Sequence, residues 1–271
     1  MSIVISAPFG NWVTSKHAIS TVGTYTLKNR AGFMRWWLYW RLLYTLRYRS
    51  AVGGWTNKLG LPNPGIEHLA KIAVSGLDGW DIATHPWVGN SIVSIHGFSD
   101  DEWKTLAARA FLKHFKFIEY NLGCPNVGHA EIDRSKLFSD AVESFGADKV
   151  IVKLPPVSWW RIWTAAFNAG IRQFHCTNTL PVPAGGLSGK ALKRVSLDVI
   201  QTIRRTPDGQ RCMIIGGGGI TSPEDVRHYA EAGADHFSVA SALLNPMRGF
   251  LRSRREEFLA SLAASQPRSA S

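Results

Sequence analysis

Met213-Ile214-Ile215-Gly216-Gly217-Gly218-Gly219-Ile220-Thr221-Ser222-Pro223-Glu224-Asp225 contains a whole βα unit. Its apolar opening is continuous rather than alternating, as in a strand covered on both faces. The glycines permit a tight turn and a close backbone approach. Ser222 then opens a helix, with proline in the first turn and two acids at the positive end. The same order recurs outward in both directions. Val150-Ile151-Val152 is another buried strand, and Ser99-Asp100-Asp101-Glu102 is another helix start.

Eight strands are expected, near 3–7, 18–26, 91–96, 116–122, 149–154, 171–177, 212–216 and 235–240. Helical patterns separate them and no composition break divides the chain. The reading is α/β, a single-domain (β/α)8 TIM barrel over residues 1–263, with 264–271 a disordered tail. A doubly wound open sheet is the alternative. The 271 residues are close to the roughly 250 of one such barrel. With 45% hydrophobic and 19% charged residues, the chain is globular rather than disordered. No apolar run approaches the ~18 residues that span a bilayer, and the first residues carry no signal-peptide pattern. The three cysteines, Cys124, Cys176 and Cys212, are too few for a disulfide framework and suit a reducing, cytoplasmic setting.

The net charge of +11 could draw nucleic acid, an anionic membrane or small anions. The plainer reading is solvated surface, for example Arg252, Arg254, Arg255 and Arg268. Phe33 to Arg49 (FMRWWLYWRLLYTLRYR) resists the scheme. Its even positions are apolar or aromatic, which is period two, yet one strand of that length is unusual. It offers a surface for membrane, quinone or subunit contact, or else a lid or local core.

Ligands of a barrel sit at the C-terminal ends of its strands. Those ends carry Asn121, Cys124 and Asn126, then Lys153, Asn178 and Thr179, then Gly216 to Gly219, and finally Ala240 and Ser241. A glycine turn after the seventh strand, with Ala240-Ser241 after the eighth, suits a phosphate held by backbone N–H groups. A tight turn alone would account for the glycines as well.

Asn121-Leu122-Gly123-Cys124-Pro125-Asn126 resembles the active-site loop of class 1 dihydroorotate dehydrogenases. Ordered matches accompany it. Asn57-Lys58-Leu59-Gly60-Leu61-Pro62-Asn63 looks like that family's early asparagine segment, and Lys153-Leu154-Pro155-Pro156 like its flavin lysine. Val22-Gly23-Thr24, Thr177-Asn178-Thr179 and Gly185 to Lys190 look like class 2 members. The resemblance covers most of residues 3 to 250 and implies an FMN-dependent barrel that oxidises dihydroorotate in pyrimidine biosynthesis.

That chemistry removes a proton from one ring carbon and a hydride from its neighbour. By resemblance, Cys124 is the base; a thiol, with a pKa of about 8.5, ionises nearer working pH than a serine hydroxyl. A buried cysteine acting as a small apolar residue is the plain alternative. Asn57, Asn121, Asn126, Asn178 and Thr179 would hold the pyrimidine, since carboxamides match its donor–acceptor edge. Loop asparagines also serve simply as turn residues. Lys153, in an apolar strand, would face the flavin N1/O2 edge; alternatively it snorkels to solvent. Ser6, Ala7, Thr24 and Asn121 would border the flavin ring. Gly189, Gly217, Gly218, Gly219, Ala240 and Ser241 would complete the cofactor site. No metal site is expected.

One departure stands out. The family places a further active-site lysine where this chain has Gly23 (class 1) or Asn11 (class 2). Lys16 or Lys28 would then have to reach in from another loop. Alternative readings are a flavin barrel acting on another dihydropyrimidine or on tRNA dihydrouridine, and a flavin-binding homologue with impaired catalysis. Class 1 relatives suggest a homodimer. Fumarate, a quinone, NAD through a partner and oxygen all stand open as acceptors.

Overall fold

The computed structural model describes residues 1–30, 44–74, 89–126, 132–249 and 251–266, the side chains of 72–74 excepted. Eight parallel strands close into a barrel: β1 (Ile3–Ile5), β2 (Ala18–Thr26), β5 (Ile92–His96), β6 (Phe117–Asn121), β7 (Val150–Leu154), β8 (Gln173–Cys176), β11 (Met213–Gly217) and β12 (His236–Val239). Around the barrel they run β1-β12-β11-β8-β7-β6-β5-β2. These are the eight strands expected from the sequence. Both anticipated helix starts are present too. Ser99 Oγ accepts from Glu102 N at 3.3 Å, and Ser222 forms a reciprocal capping box with Asp225.

Strand alternation sorts side chains between barrel interior and outer helices. Along β7, Ile151 and Lys153 face inward, while Val150, Val152 and Leu154 join the large outer core. Val4, Ile92, Ile151 and Ile215 form a separate buried cluster. They come from β1, β5, β7 and β11, which are alternate strands of the closed order. This is one layer of a packed barrel. Ile19, Phe117 and Met213 close the floor beneath it. Above it the lining turns polar, towards the strands' C-terminal ends.

Over that rim lies a sheet with no counterpart in the sequence reading. It is antiparallel, ordered β3 (Arg47–Arg49), β4 (Gly54–Asn57), β10 (Gly185–Gly189), β9 (Leu180–Val182). Of the aromatic and basic stretch 33–49, residues 33–43 lie outside the described residues. Arg47 to Arg49 form the exposed edge strand β3, with Tyr48 against Trp55 at 5.2 Å between ring centroids.

Two boundaries change. β11 runs through Gly217, so Gly216 and Gly217 belong to the strand and only Gly218 and Gly219 turn. The last helix, Arg252–Ala264, buries Phe258, Leu259 and Leu262 and takes in Ala264. Residues 267–271 of the expected tail lie outside the described residues. Among the described residues, no helix is long and apolar enough to cross a membrane.

The layer beneath the polar rim gives a direct test. Ile151→Ala should cost about 2–5 kcal/mol, because a closed barrel relaxes poorly around a cavity. Urea denaturation measures it; a loss below about 1 kcal/mol would show that this layer is not tightly packed.

Candidate active site

The polar upper half of the barrel is one hydrogen-bonded array. Ser94 Oγ donates to Glu119 Oε1 at 2.8 Å, and His175 Nδ1 meets Glu119 Oε2 at 2.6 Å. Ser238 Oγ lies 2.8 Å from His175 Nε2. On the other side, Thr24 Oγ1 is 2.9 Å from Ser94 Oγ. Asn121 Nδ2 donates to Thr24 Oγ1 at 2.9 Å, and Asn178 Nδ2 donates to Asn121 Oδ1 at 2.7 Å. Lys153 Nζ stands 3.8 Å from Glu119 Oε1. Glu119, His175, Lys153, Asn121, Thr24, Ser94 and Ser238 are all buried.

Burial alone would push the Glu119 carboxyl upward. The Lys153 cation, His175 and the Ser94 hydroxyl outweigh it and hold the pKa at about 2. Burial and the same Lys153 cation push His175 downward against the upward pull of Glu119, which favours the neutral imidazole. An ionised carboxylate only accepts, so His175 carries its proton on Nδ1 and Nε2 accepts from Ser238. Glu119, His175, Ser94 and Ser238 were missed in the sequence reading. Period two marks the first two: Glu119 lies two residues before Asn121, and His175 two before Thr177.

The asparagines form two pairs. Asn121 binds Asn178; Asn126 Nδ2 donates to Asn57 Oδ1 at 2.9 Å, and Asn57 Nδ2 to Gly186 O at 3.4 Å. Thr179 N donates to Asn178 Oδ1 at 2.8 Å. Gly186 ties the pairs together, since a Cβ there would sit 2.4 Å from Thr179 Oγ1 and 3.3 Å from Pro125. Cys124 is buried within this ring of loops. Burial pushes its thiol up, opposed by the Asn126 backbone N–H and by the charges of Lys153 and Arg30. Its neighbour Gly123 leaves no room for a Cβ against Pro155 and Asn178.

Towards β11 and β12, Ser6 follows β1 and donates its N–H to Val239 O at 2.9 Å, with Ala7 beside it. Gly189 starts the helix Lys190–Arg204, and Gly219 packs on it: a Cβ on Gly219 would lie 2.7 Å from Gly189 O. Gly218 and Gly219 both have positive φ, +116° and +74°. Gly217 is explained by the barrel interior, because a Cβ there would collide with Ser238 Oγ at 1.9 Å. Ala240 and Ser241 follow β12 at the start of a short 3-10 helix.

The two expected lysine positions are bonded to each other. Asn11 Oδ1 accepts from Gly23 N at 2.8 Å, and Asn11 Nδ2 donates to Gly23 O at 3.0 Å. Gly23 has φ +101°, and a Cβ would meet Ser94 O at 2.4 Å, so this backbone admits no side chain. Lys16 does not reach in: it is exposed ahead of β2, at the opposite rim from Cys124. Lys28 is exposed in the loop after β2, as is Arg30. The cation that acts on Cys124 from this loop is Arg30, which the sequence reading passed over. Its guanidinium lies 4.5 Å from the centroid of the Phe98 ring, and its Nε donates to Gly60 O at 3.3 Å.

The cradle fits a flavin nucleotide. Lys153 is a buried ammonium with no hydrogen-bond partner among the described residues, and buried Thr177 Oγ1 has none either. Both call for an acceptor from a ligand. Gly189, Gly218 and Gly219 gather at the N-terminus of the helix Lys190–Arg204, where backbone N–H groups suit a phosphate, although a Cβ at each would meet protein atoms. No group of three metal-binding side chains gathers among the described residues.

A family model described as dihydroorotate dehydrogenase matches residues 14–250. A Listeria monocytogenes serotype 4b protein named dihydroorotate dehydrogenase B (NAD(+)), catalytic subunit, is 30% identical over 220 residues, which is 73% of this chain and 69% of that one. The protein of the same name from Oceanobacillus iheyensis is 32% identical over 222 residues, with the same coverage. Two crystal structures of dihydroorotate dehydrogenase from Eimeria tenella share the fold. The ligand-free form has TM-score 0.65 at 18% identity, covering 91% of this chain and 76% of that one. The ferulenol complex has TM-score 0.66 at 16% identity, covering 97% and 80%.

Acid titration tests the central carboxylate. Glu119 is held near 2 when folded, against about 4.3 unfolded. Its contribution is complete above the unfolded value and drains away as pH falls towards 2. Urea midpoints of the wild type should therefore drop more steeply from about pH 5 to pH 3 than those of Glu119→Gln. Parallel curves would mean that the folded protein does not hold Glu119 ionised.

Proposed function

This chain belongs to the dihydroorotate dehydrogenase family, and from that premise we propose that it oxidises dihydroorotate to orotate with FMN, using Cys124 as the base. The observation that carries the reading is convergence. The Cys124 loop, both asparagine pairs and the buried Lys153 meet at one rim of the barrel, joined by hydrogen bonds or by register. When bound, FMN supplies the hydride acceptor.

The protein's own part is to hold the ring and take the proton. Asn57, Asn121, Asn126, Asn178 and Thr179 offer the pyrimidine amides both donors and acceptors. Lys153 would stand at the flavin N1/O2 edge, and Ser6, Ala7, Thr24 and Asn121 along the ring. Gly189, Gly218, Gly219, Ala240 and Ser241 would take the phosphate, with Gly217 contributing backbone alone. Cys124, as thiolate, would accept the proton from the ring carbon next to the one that loses hydride. Because burial raises its thiol, turnover should climb with pH as the thiolate fraction grows. The charges of Lys153 and Arg30 favour that ionisation. We assign to Arg30 the charge that Gly23 and Asn11 do not supply, facing the substrate carboxylate. A tRNA substrate draws support only from the net charge.

Three experiments test this. Purified protein should be yellow, and dihydroorotate should bleach it without oxygen. Cys124→Ala should keep the flavin and lose about 10²–10⁴-fold in flavin reduction, with Cys124→Ser active only at higher pH. Unimpaired reduction by Cys124→Ala would remove the cysteine from the mechanism. Arg30→Ala should lower kcat/KM for dihydroorotate by about 10–100-fold, the scale of one charge-assisted hydrogen bond, and hardly affect uncharged dihydrouracil. An equal loss on both would contradict carboxylate recognition.

A further inference from the structure

Glu119 lies in the barrel beneath the rim and has no role in the chemistry above, yet the site's hydrogen bonds run to it. The directions can be assigned one by one. Asn178 gives its amide N–H to Asn121, and Asn121 gives its own to Thr24. Ser94 spends its proton on Glu119, so the Thr24 hydroxyl must donate to Ser94. From the opposite wall Ser238 donates to His175, which donates to Glu119. Two chains of donors, from β2, β5, β6 and the loop after β8 on one side and from β8 and β12 on the other, terminate at one acceptor. The same carboxylate is the counter-charge of Lys153, across the β6–β7 pair whose register sets Asn121 opposite Lys153.

Resting on the function proposed above, we propose that Glu119 is a positioning residue for this reaction: one buried charge fixes which way the Asn121 and Asn178 carboxamides face and offsets the ammonium of Lys153 at the flavin edge. Reversal of any link would turn an acceptor towards an acceptor, so the array has one direction only while Glu119 is an anion. His175 and Ser238 hold the carboxylate through a chain of donated hydrogen bonds, with the imidazole favoured in its neutral form.

Glu119→Gln keeps the volume and changes both properties. With its oxygen on Ser94, its amide N–H faces His175 Nδ1, which must then accept. The imidazole proton moves to Nε2 and the Ser238 hydroxyl turns round. Long-range ¹⁵N–¹H correlation on histidine-labelled protein without FMN reads this, with His175→Asn identifying the signal. The wild type should show the Nδ1–H tautomer and Glu119→Gln the Nε2–H tautomer. In FMN-loaded protein, Glu119→Gln should raise the flavin midpoint potential, because Lys153 loses its counter-charge and favours the anionic reduced form. Glu119→Asp and Ser238→Ala, which keep the charge, should leave that potential near the wild-type value. An Nε2–H tautomer in the wild type overturns the proposal, as does an unchanged potential in Glu119→Gln. If that variant does not fold, the wild-type tautomer still decides. A protein that takes up no FMN would sink the function proposed above, while the tautomers would still rule for or against Glu119.

Discussion

A carboxylate inside a barrel is expensive to desolvate, and the upper half of this molecule is organised around meeting that cost at Glu119. Two short donors reach its oxygens, from Ser94 and His175, and an ammonium stands 3.8 Å away. Each donor must itself be satisfied, which brings in Thr24 on one wall and Ser238 on the other. Ser238 Oγ takes the space that a side chain on Gly217 would need. One buried charge thus dictates residue types on β2, β5, β7, β8, β11 and β12. The layer below is wholly apolar, with Val4, Ile92, Ile151 and Ile215 sealing the network from the far end. A polar array of this kind is tolerable only when no member lacks a partner, and Lys153 and Thr177 Oγ1, without a hydrogen-bond partner among the described residues, leave places for a ligand to complete it.

The barrel was legible because its signal is redundant. Several strands are near-continuous apolar runs, such as Val150-Ile151-Val152 and Met213-Ile214-Ile215, and the strand-then-helix order recurs from one end of the chain to the other. The rim residues were legible for another reason: their chemistry is unusual for turns, and family resemblance fixed their order. The interior was harder. Glu119 stands two residues before the asparagine that opens the Cys124 loop, but its meaning depends on facing the same way as Asn121. His175 depends on facing Lys153 across β7 and β8. Strand period gives the direction of each, while register between strands, which no single segment carries, gives the encounter.

The antiparallel sheet over the rim was invisible for physical reasons. β10 is Gly185-Gly186-Leu187-Ser188-Gly189, whose composition disfavours a strand, and β3 is an exposed Arg-Tyr-Arg. Their conformation comes from pairing with β4, more than a hundred residues away from β10. The glycines are there because of what comes close: Gly185 passes Asn57 O, and Gly186 passes Thr179 and Pro125. A sheet built this way brings the Asn57–Asn126 pair over the Cys124 loop, so its weak local propensity follows from its use.

The absent lysine follows from the same packing. At Gly23 the chain turns with positive φ against Ser94 O, and the Asn11 amide brackets its N–H and C=O. Ser94 cannot yield, since it links Thr24 to Glu119. No side chain can therefore grow from this point, and a cation for the rim has to enter from beyond the strand. Arg30, the cation proposed for that place, is exposed on the loop after β2, its guanidinium resting over Phe98 and its Nε tied to Gly60 O. The tether spends one of five donors and leaves the planar edge available, a shape that meets a carboxylate through two parallel bonds where an ammonium would meet it through one. The order around Glu119 thus constrains the interior and also the kind of cation the rim can present.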